Sequence, residues 1–362
     1  MTIEEKLLQE LNLERNNIKT DSYSMSIGEI INLYKEGELE LDPAFQRLYR
    51  WDDEQKTKFI ESILIGIPIP PIFVAQKSEG HWSIVDGVQR ISTVLQLTGD
   101  LKGFPPLKLT TSQKLPSLEN LEWVNIPDEI KRILRRSKFD INIILTENSI
   151  QAQYELFQRL NTGGLHLEPQ EIRNCLIIML DESFYNKIND LKAYDNFHKT
   201  LPLNEDKIKI EHPMELILRY FIAKYQQTDF SHYKTALLSE FIDAETTKLI
   251  ADKDFDIDKE IKIFKTTFDF LYASLGKDIF KKYNFDKQLF EGQFLESSFE
   301  AIVPGVAENI DLISMDKEAF IEKVKLMYNE TDYKKYSGRG IKAIPRIKGM
   351  TEFSKTFFKY EI

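Results

Sequence analysis

The sequence IFVAQKSEGHWSIVDGVQRISTVLQLTG, residues 72–99, determines the predicted fold of the N-terminal part of the chain. Residues 72–75 are apolar and follow prolines, which favours a strand. After a turn, residues 81–85 have the pattern of a second strand. Gly87 ends that strand, and the spacing of apolar side chains predicts a helix over residues 89–97. The segment therefore predicts a unit in which the end of a strand meets the N-terminus of a helix.

The flanking sequence extends this unit on both sides. Asp52 and Gln55 have the spacing of a helix-capping box, and Gly66 is placed to end that helix in a left-handed cap. Pro169 occupies the position that proline prefers, at the start of another helix. Apolar periodicity predicts the remaining elements: helices over residues 2–13 and 26–34, a strand over residues 139–145 and a helix that ends near residue 160.

Beyond residue 180 the strand patterns nearly vanish. Helical periodicity predominates instead, in residues 214–225, 233–242, 261–275 and 317–328. We therefore predict an α+β chain with three parts: an N-terminal helix in residues 1–24, a mixed α/β domain over residues 25–180 and a mostly α-helical domain over residues 181–362.

The composition is that of an ordinary globular protein, with 42% hydrophobic and 29% charged residues among 362. The longest apolar runs, such as residues 175–180, are far shorter than the ~20 residues of a membrane helix. The first residues lack the pattern of a secretory signal. Cys175 is the single cysteine, which excludes an internal disulfide, and its apolar surroundings predict a buried packing residue. We therefore expect a cytoplasmic protein without a membrane partner.

The net charge of −10 argues against a dedicated, sequence-independent nucleic-acid binder. A local basic patch is still compatible with it, because residues 334–348 contain no acid. Two interpretations of this stretch stay open: a solvated surface loop, or a set of DNA phosphate contacts. The cations concerned are Lys334, Lys335, Arg339, Lys342, Arg346 and Lys348, and a DNA footprint could also include Arg132, Arg135, Arg136 and Lys138.

Residues 85–90 are the first candidate site. A helix N-terminus offers unpaired backbone N–H groups and a partial positive charge, and Gly87 lets a ligand approach the backbone closely. Arg90 adds a bidentate donor for a phosphate, and Asp86 can hold Mg²⁺ or position a water. These parts suit a nucleotide phosphate with its metal. The alternative is that Asp86 is a plain helix cap.

Residues 46–51 are the second candidate element, because they place arginine and aromatic side chains just before a capped helix. Arg47 can bind phosphate, and Tyr49 can stack on a base. For Trp51 we favour a packing role in the core.

The third element is residues 157–164 together with the helix that follows. Glycines at a helix end have a structural use of their own. Asn161, Glu171 and Arg173 are polar groups beside apolar helix faces. They either brace the turn or point into the site, and both interpretations stay open.

These elements, in this order, resemble the N-terminal domain of the GmrSD restriction endonucleases, also called domain of unknown function 262. The resemblance covers roughly residues 25–180 and is carried by four segments: FQRLYRW (45–51), ESILIGIPIPP (61–71), VDGVQR (85–90) and FQRLNTGGLHLEPQEIRN (157–174). The layout is also similar to the ParB/sulfiredoxin fold, where a Gly-x-x-Arg turn before a helix binds nucleotide phosphates.

The resemblance implies a nucleoside-triphosphate site with Mg²⁺. By that resemblance Asp86 holds the metal and orients the attacking water, while Gln46 and Gln89 bond to the phosphates or to that water. The nucleotide itself is expected to contact Arg47, Tyr49, Gly87, Val88 and Arg90.

Two departures from the family pattern are visible. Val88 stands where the family usually has glutamine. Relatives that cut DNA also carry a histidine-metal nuclease motif, whereas the five histidines here have no metal-ligand spacing. We therefore expect that this chain is not a nuclease on its own.

Three hypotheses of function follow. The first is a nucleoside triphosphatase of a prokaryotic anti-phage, restriction-like system, working with DNA or a partner effector protein, either alone or as an oligomer. The second is a DNA-binding sensor that turns over no nucleotide, with Lys335, Arg339, Lys342 and Arg346 as its contacts. The third is a structural subunit that binds a partner protein.

Overall fold

The computed structural model of the protein divides into two compact units, residues 1–167 and 168–362. It describes residues 2–17, 20–41, 51–76, 80–145, 168–225, 233, 236–313 and 316–359. The first unit is mixed α/β and the second is mostly helical, which confirms the predicted α+β class. The domain boundaries placed after residues 24 and 180 stay predictions.

The described part of the first unit contains one mixed sheet with the strand order β1-β5-β3-β4-β2. Strand β1 pairs with β5, and β3 with β4, in antiparallel fashion, whereas β5 with β3 and β4 with β2 are parallel. The elements are, in chain order, α1 (Ile3–Asn17), β1 (Thr20–Ser26), α2 (Ile27–Glu36), β2 (Leu39–Glu40), α3 (Asp53–Ile65), β3 (Ile72–Gln76), β4 (Trp82–Asp86), α4 (Val88–Thr98), α5 (Asp128–Arg136) and β5 (Lys138–Ile144).

Local sequence signals explain most of these elements. Asp52 and Gln55 form the predicted capping box of α3, and Gly66 ends that helix in the left-handed conformation. The predicted strands β3, β4 and β5 and the helix α4 are confirmed. Strand β1 was not predicted, because five of its seven residues are exposed and its sequence shows no apolar alternation. The predicted helix ending near residue 160 lies outside the described residues.

The core of the first unit lies where α2 and α4 meet the sheet. Side chains from five elements come together there and are almost completely buried: Ile30 of α2, Ile72 of β3, Ile84 of β4, Ile91 of α4 and Ile141 of β5. Burying each of them stabilises the fold by about 1.5–3 kcal/mol. The packing of β4 and α4 fixes the turn that joins them.

A buried carboxylate ties α3 to a loop of the same unit. Glu61 accepts hydrogen bonds from the Ser112 hydroxyl, from the Lys114 N–H at 2.5 Å and from the Leu115 N–H at 2.9 Å. The bond from Ser112 is the main reason why the pKa of Glu61 lies below its usual value, since these donors favour the ionised form. Three donors on one carboxylate hold this loop against α3.

The second unit is built from helices and one short hairpin in its described part. The hairpin is antiparallel and was not predicted, because its strands have three residues each. The elements are α6 (Pro169–Leu180), α7 (Glu182–Lys192), α8 (Asp195–Thr200), α9 (Glu205–Lys209), α10 (His212–Tyr225), α11 (Leu238–Ala251), α12 (Ile257–Leu275), β6 (Lys282–Asn284), β7 (Leu289–Glu291), α13 (Glu296–Glu308), α14 (Ile310–Ile313), α15 (Lys317–Met327), α16 (Thr331–Ser337) and α17 (Ala343–Phe357).

The helices predicted over residues 214–225, 261–275 and 317–328 are present as α10, α12 and α15. The helix predicted from residue 233 begins later, at Leu238. The helix begins there because the Glu240 carboxylate accepts the Leu237 N–H at 3.1 Å and so caps the helix N-terminus.

Aromatic rings fill the core of the second unit. Phe264 of α12 lies 4.5 Å from Phe268 and 5.4 Å from Tyr220 of α10, and Phe197 of α8 lies 4.9 Å from Phe268, all measured between ring centroids. Pairs at these separations add about 0.5–1.5 kcal/mol each to the gain from burial. Three helices are thereby joined around one cluster.

A network of ion pairs lies beside that core. Arg219 donates to Glu215 at 2.6 Å, to Glu296 at 2.9 Å and to Glu300 at 3.2 Å. Burial alone would raise the pKa of Glu296, but the charge and hydrogen bond of Arg219 lower it to about 2. The network joins α10 to α13 and holds Glu296 ionised.

Two further expectations concern burial and membranes. Cys175 is buried, as predicted, at 1% exposure. Among the described residues, no helix combines the length and the apolarity that crossing a bilayer requires. The cytoplasmic location stays a prediction.

Replacing Gly305 by alanine tests the close packing of α13 on α17. A methyl group there would lie 2.2 Å from the backbone oxygen of Ser354. We expect Gly305→Ala to lower the free energy of unfolding by about 2–3 kcal/mol, because the backbone must move. Replacing glycine by alanine inside a helix normally raises the free energy of unfolding by about 1 kcal/mol. A decrease would therefore identify the steric overlap. Urea unfolding gives the value.

The matched control is Gly338→Ala. There the added methyl group would lie 3.6 Å from its nearest neighbours, at an ordinary φ of −63°. We expect its stability to stay within about 1 kcal/mol of the wild type. Equal stabilities of the two variants would contradict the close packing of α13 on α17.

Candidate functional site

The candidate site begins where β4 runs into α4. Asp86 ends the strand, Val88 begins the helix, and Gly87 between them has the left-handed φ of 97°. Glycine is the residue that adopts this conformation without strain. As the N-cap residue it also has no side chain, so it supplies no acceptor to the first turn of α4. The predicted strand–glycine–helix turn is confirmed.

Gly87 is also required for steric reasons. A Cβ at this position would lie 2.4 Å from Cδ1 of the buried Ile72 and 3.4 Å from Nη2 of Arg90. The turn is therefore pressed against β3 and against the arginine one helical turn later. A Cβ at residue 87 would displace Ile72 Cδ1 and would be in van der Waals contact with Arg90.

Arg90 lies beneath this turn, and its guanidinium is occupied by protein groups. Its residue exposure is 7%; it donates to Asp86 Oδ2 at 2.9 Å, to the Pro71 carbonyl at 3.1 Å and to the Pro70 carbonyl. Burial lowers the pKa of Arg90, and the Asp86 carboxylate opposes that shift. Arg90 therefore braces the turn, and its predicted phosphate contact stays a prediction.

Asp86 is the acidic group of the site, with 26% of its side chain exposed. Arg90 occupies Oδ2, whereas Oδ1 has no hydrogen-bond partner among the described residues. Those residues also include no group of three His, Cys, Asp or Glu side chains that could hold a metal ion. A single carboxylate suits Mg²⁺ only where ligand phosphates complete the coordination. The residues present therefore fit a metal that arrives with a nucleotide.

Gln89 connects the turn to another predicted element. Its Oε1 accepts a hydrogen bond from the Trp51 N–H at 3.1 Å. The Trp51 ring packs edge-on against Phe59 of α3 at 5.4 Å between centroids, which agrees with the packing role favoured for it. Gln46, Arg47 and Tyr49, which precede Trp51 in the chain, lie outside the described residues.

Val88 is buried at 7% exposure, although it belongs to the predicted nucleotide site. Its side chain packs in the core and is not available to a ligand. A glutamine at this position would have to bury its amide, which costs free energy unless a partner is present.

The supporting residues lie in the second unit. Glu171 accepts the Glu168 N–H at 3.0 Å and so caps α6. Arg173 is fully buried and donates to Asp243 of α11 at 2.6 Å and to the Ser239 carbonyl at 3.4 Å. Of the two interpretations, the structure supports bracing for these residues. Asn161 lies outside the described residues.

The basic stretch of residues 334–348 separates into two sets. Lys335, Arg339 and Lys342 are exposed. The guanidinium of Arg346 instead bonds to Glu296 at 2.8 Å and to Glu300 at 2.8 Å and 3.0 Å. These bonds pair the Arg346 charge with two carboxylates of the second unit, and its predicted DNA contact stays a prediction.

Two contacts of the site were not foreseen from the sequence. The first is the role of the Pro70 and Pro71 carbonyls as acceptors for Arg90. The proline-rich residues 67–71 gave a signal for it, because such an extended segment has carbonyls that need donors from elsewhere. The second is the bond between Gln89 and Trp51, for which the sequence gave no signal.

The start of α4 is a helix N-terminus without a side-chain cap, a kind of position at which proteins bind anions. Residues 27–178 match the sequence profile of the family described as GmrSD restriction endonuclease, N-terminal domain. The match covers less than half of the chain and confirms the family that the motifs indicated for that part. No curated protein and no solved structure matched the chain significantly.

Replacing Gly87 by alanine tests the steric fit of the turn. We expect a loss of about 2–4 kcal/mol in the free energy of unfolding, because strain at a positive φ adds to overlap with Ile72. Gly99→Ala is the matched control at the other end of α4, since it has a φ of 79° and no neighbour within 4 Å. It should cost only the backbone strain, about 1 kcal/mol. Urea unfolding curves that coincide for the two variants would refute the fit.

Proposed function

We propose that this chain is a restriction-like, anti-phage defence protein whose N-terminal domain binds and hydrolyses a nucleoside triphosphate at the turn between β4 and α4. The family match of residues 27–178 supports the defence role. The observation that carries the nucleotide role is the helix start at Gly87, which has no side chain and a φ of 97°. DNA and a partner effector protein are its proposed partners.

The backbone at the start of α4 is the proposed phosphate site. The first N–H groups of a helix have no carbonyl partner within the helix, and the helix dipole adds partial positive charge. Gly87 allows this helix start to follow β4 directly, because a Cβ there would lie 2.4 Å from Cδ1 of Ile72. Val88 takes part through its backbone, since its side chain is buried.

Asp86 is the proposed acidic group of the hydrolytic reaction. Arg90 fixes one of its oxygens at 2.9 Å and leaves the other without a partner among the described residues. A Mg²⁺ ion bound with the nucleotide would neutralise phosphate charge and activate water. The Asp86 oxygen that Arg90 leaves open is suited to contact that ion and to orient the water. Arg90 contributes by holding the carboxylate in place.

The segment around Gln46, Arg47 and Tyr49 is the proposed second side of the site. Gln89 holds the Trp51 backbone at 3.1 Å. Arg47 precedes Trp51 by four residues, and a fully extended chain of that length spans at most about 14 Å. Arg47 can therefore contribute a phosphate contact, Tyr49 a stacking surface for the base and Gln46 a hydrogen bond to phosphate or water.

Asp86→Asn tests this proposal. The change keeps the shape of the side chain and an acceptor for Arg90, but it removes the negative charge. We expect nucleotide hydrolysis to fall by roughly 100-fold or more, because the group that orients the water is lost. Binding should also depend less on Mg²⁺. Calorimetric titration with ATP, GTP and CTP and a phosphate-release assay give the two readouts.

Asp100→Asn is the matched control at the far end of α4. Asp100 pairs with Lys35 at 3.0 Å and has a similarly low exposure of 19%. Its loss should leave binding and hydrolysis unchanged. Hydrolysis by the Asp86→Asn variant at the wild-type rate would refute the catalytic role. Absence of binding of all three nucleotides to the wild type would refute the site itself.

A further inference from the structure

Four cations around the end of α5 have no acidic partner in the described part of the chain. Arg132, Arg135 and Arg136 of α5 and Lys138 at the start of β5 are all exposed, and none of them forms an ion pair with a described residue. Their neighbour Lys131 does have such a partner, Asp128 at 3.7 Å. We call these four residues the α5 basic surface. It is an unneutralised positive patch on a chain with a net charge of −10.

The three arginines share one side of the helix. Positions 132, 135 and 136 are spaced by three and four residues, which places their side chains next to one another. The rise from Arg132 to Arg136 is about 6 Å along the helix axis. Long guanidinium side chains at this spacing can contact neighbouring phosphates of a nucleic-acid backbone.

Packing fixes the orientation of this surface. Residue 28 of α2 is a glycine whose Cβ, if present, would lie 3.3 Å from the backbone oxygen of Arg135. Helix α2 therefore packs against the backbone of α5 at this point, and the Arg135 side chain remains exposed. The basic surface is thus part of a rigid helix pair.

An aromatic ring holds part of the surface in place. The guanidinium carbon of Arg135 and the ammonium group of Lys131 each lie 5.7 Å from the centroid of the Trp123 ring. Lys131 also donates to the Val124 carbonyl at 3.3 Å. Cation–π contacts of this kind restrict the side chain before binding, which lowers the entropic cost of a later contact.

The helix dipole explains only part of this pattern. Cations in the last turn stabilise the C-terminal carbonyls of a helix, which accounts for Arg135 and Arg136. It does not account for Arg132, one turn earlier, or for Lys138 beyond the helix end. Like charges at this spacing repel each other. Their accumulation on one surface therefore favours an anionic partner.

We propose that the α5 basic surface binds the phosphate backbone of double-stranded DNA, independently of sequence and of bound nucleotide. We expect it to be a stronger DNA contact than the stretch of residues 334–348, where Arg346 is paired with Glu296 and Glu300 and the exposed cations include Lys335, Arg339 and Lys342. Added salt weakens this binding, because the release of counterions from the duplex then contributes less free energy. A surface of four cations displaces about four counterions from the duplex.

Fluorescence anisotropy of the full chain with a short labelled DNA duplex of random sequence tests the proposal. For four phosphate contacts we expect log K to fall with log[salt] with a slope of about −3.6. The triple variant R132A/R135A/R136A should bind at least about tenfold more weakly at low salt, with a slope reduced by about 2.7. Alanine keeps the helix, because it has the highest helix propensity. Circular dichroism verifies the fold.

The control is K335A/R339A/K342A, which removes the same number of exposed cations from the other stretch. It should keep at least half of the wild-type affinity. Equal weakening of both triple variants, wild-type affinity in the α5 variant, or no binding by the wild type at low salt would each overturn the proposal.

Vesicles of phosphatidylserine and phosphatidylcholine test a different partner. If they bind the wild type through the α5 basic surface while the duplex does not, the partner is a membrane and the proposal is wrong. The Asp86→Asn variant without nucleotide should bind the duplex like the wild type. Failure of the nucleotide site and failure of the DNA surface are therefore distinguishable.

Discussion

The buried guanidinium of Arg90 is the interaction on which the geometry of the N-terminal unit depends. It joins its own helix to the carboxylate at the end of β4 and to the carbonyls of Pro70 and Pro71, which lead into β3. An arginine can serve all three because its planar guanidinium has five donors. Gly87 is part of the same arrangement, since a Cβ there would displace Ile72 Cδ1 and contact Arg90.

This arrangement separates two roles that residues 85–90 combine in the sequence. One is to brace the turn, and the other is the proposed contact with a ligand. The side chains of Arg90 and Val88 are used within the fold, so the proposed phosphate site relies on the backbone at the start of α4. Asp86 has one oxygen fixed and one open among the described residues. A site of this kind gains affinity from preorganised dipoles, because they need not reorient when the ligand binds.

The sequence predicted what short-range chemistry determines. Asp52 and Gln55 form a capping box within one helical turn, and Gly87 takes its positive φ at a strand end, so both were visible as patterns. Partners that lie far apart in the sequence were not visible as patterns. The sequence placed Arg346 in an exposed basic stretch. Its hydrogen bond to Glu300, which lies 46 residues earlier in the chain, was not predictable. The edge strand β1, which pairs with β5 only, gave no apolar alternation because five of its seven residues are exposed. The nucleotide role stays a prediction.

The unfolding free energy of Arg90→Ala, measured with urea and without nucleotide, tests the central claim most directly. Arg132→Ala, an exposed arginine without an ion pair to a described residue, is the reference. If Arg90 holds the turn, its loss leaves the Asp86 carboxylate and two carbonyls without their donor, and stability should fall by about 3 kcal/mol. The reference should change by less than about 0.5 kcal/mol. Equal stability of the two variants would contradict the account and return Arg90 to the role of a phosphate contact.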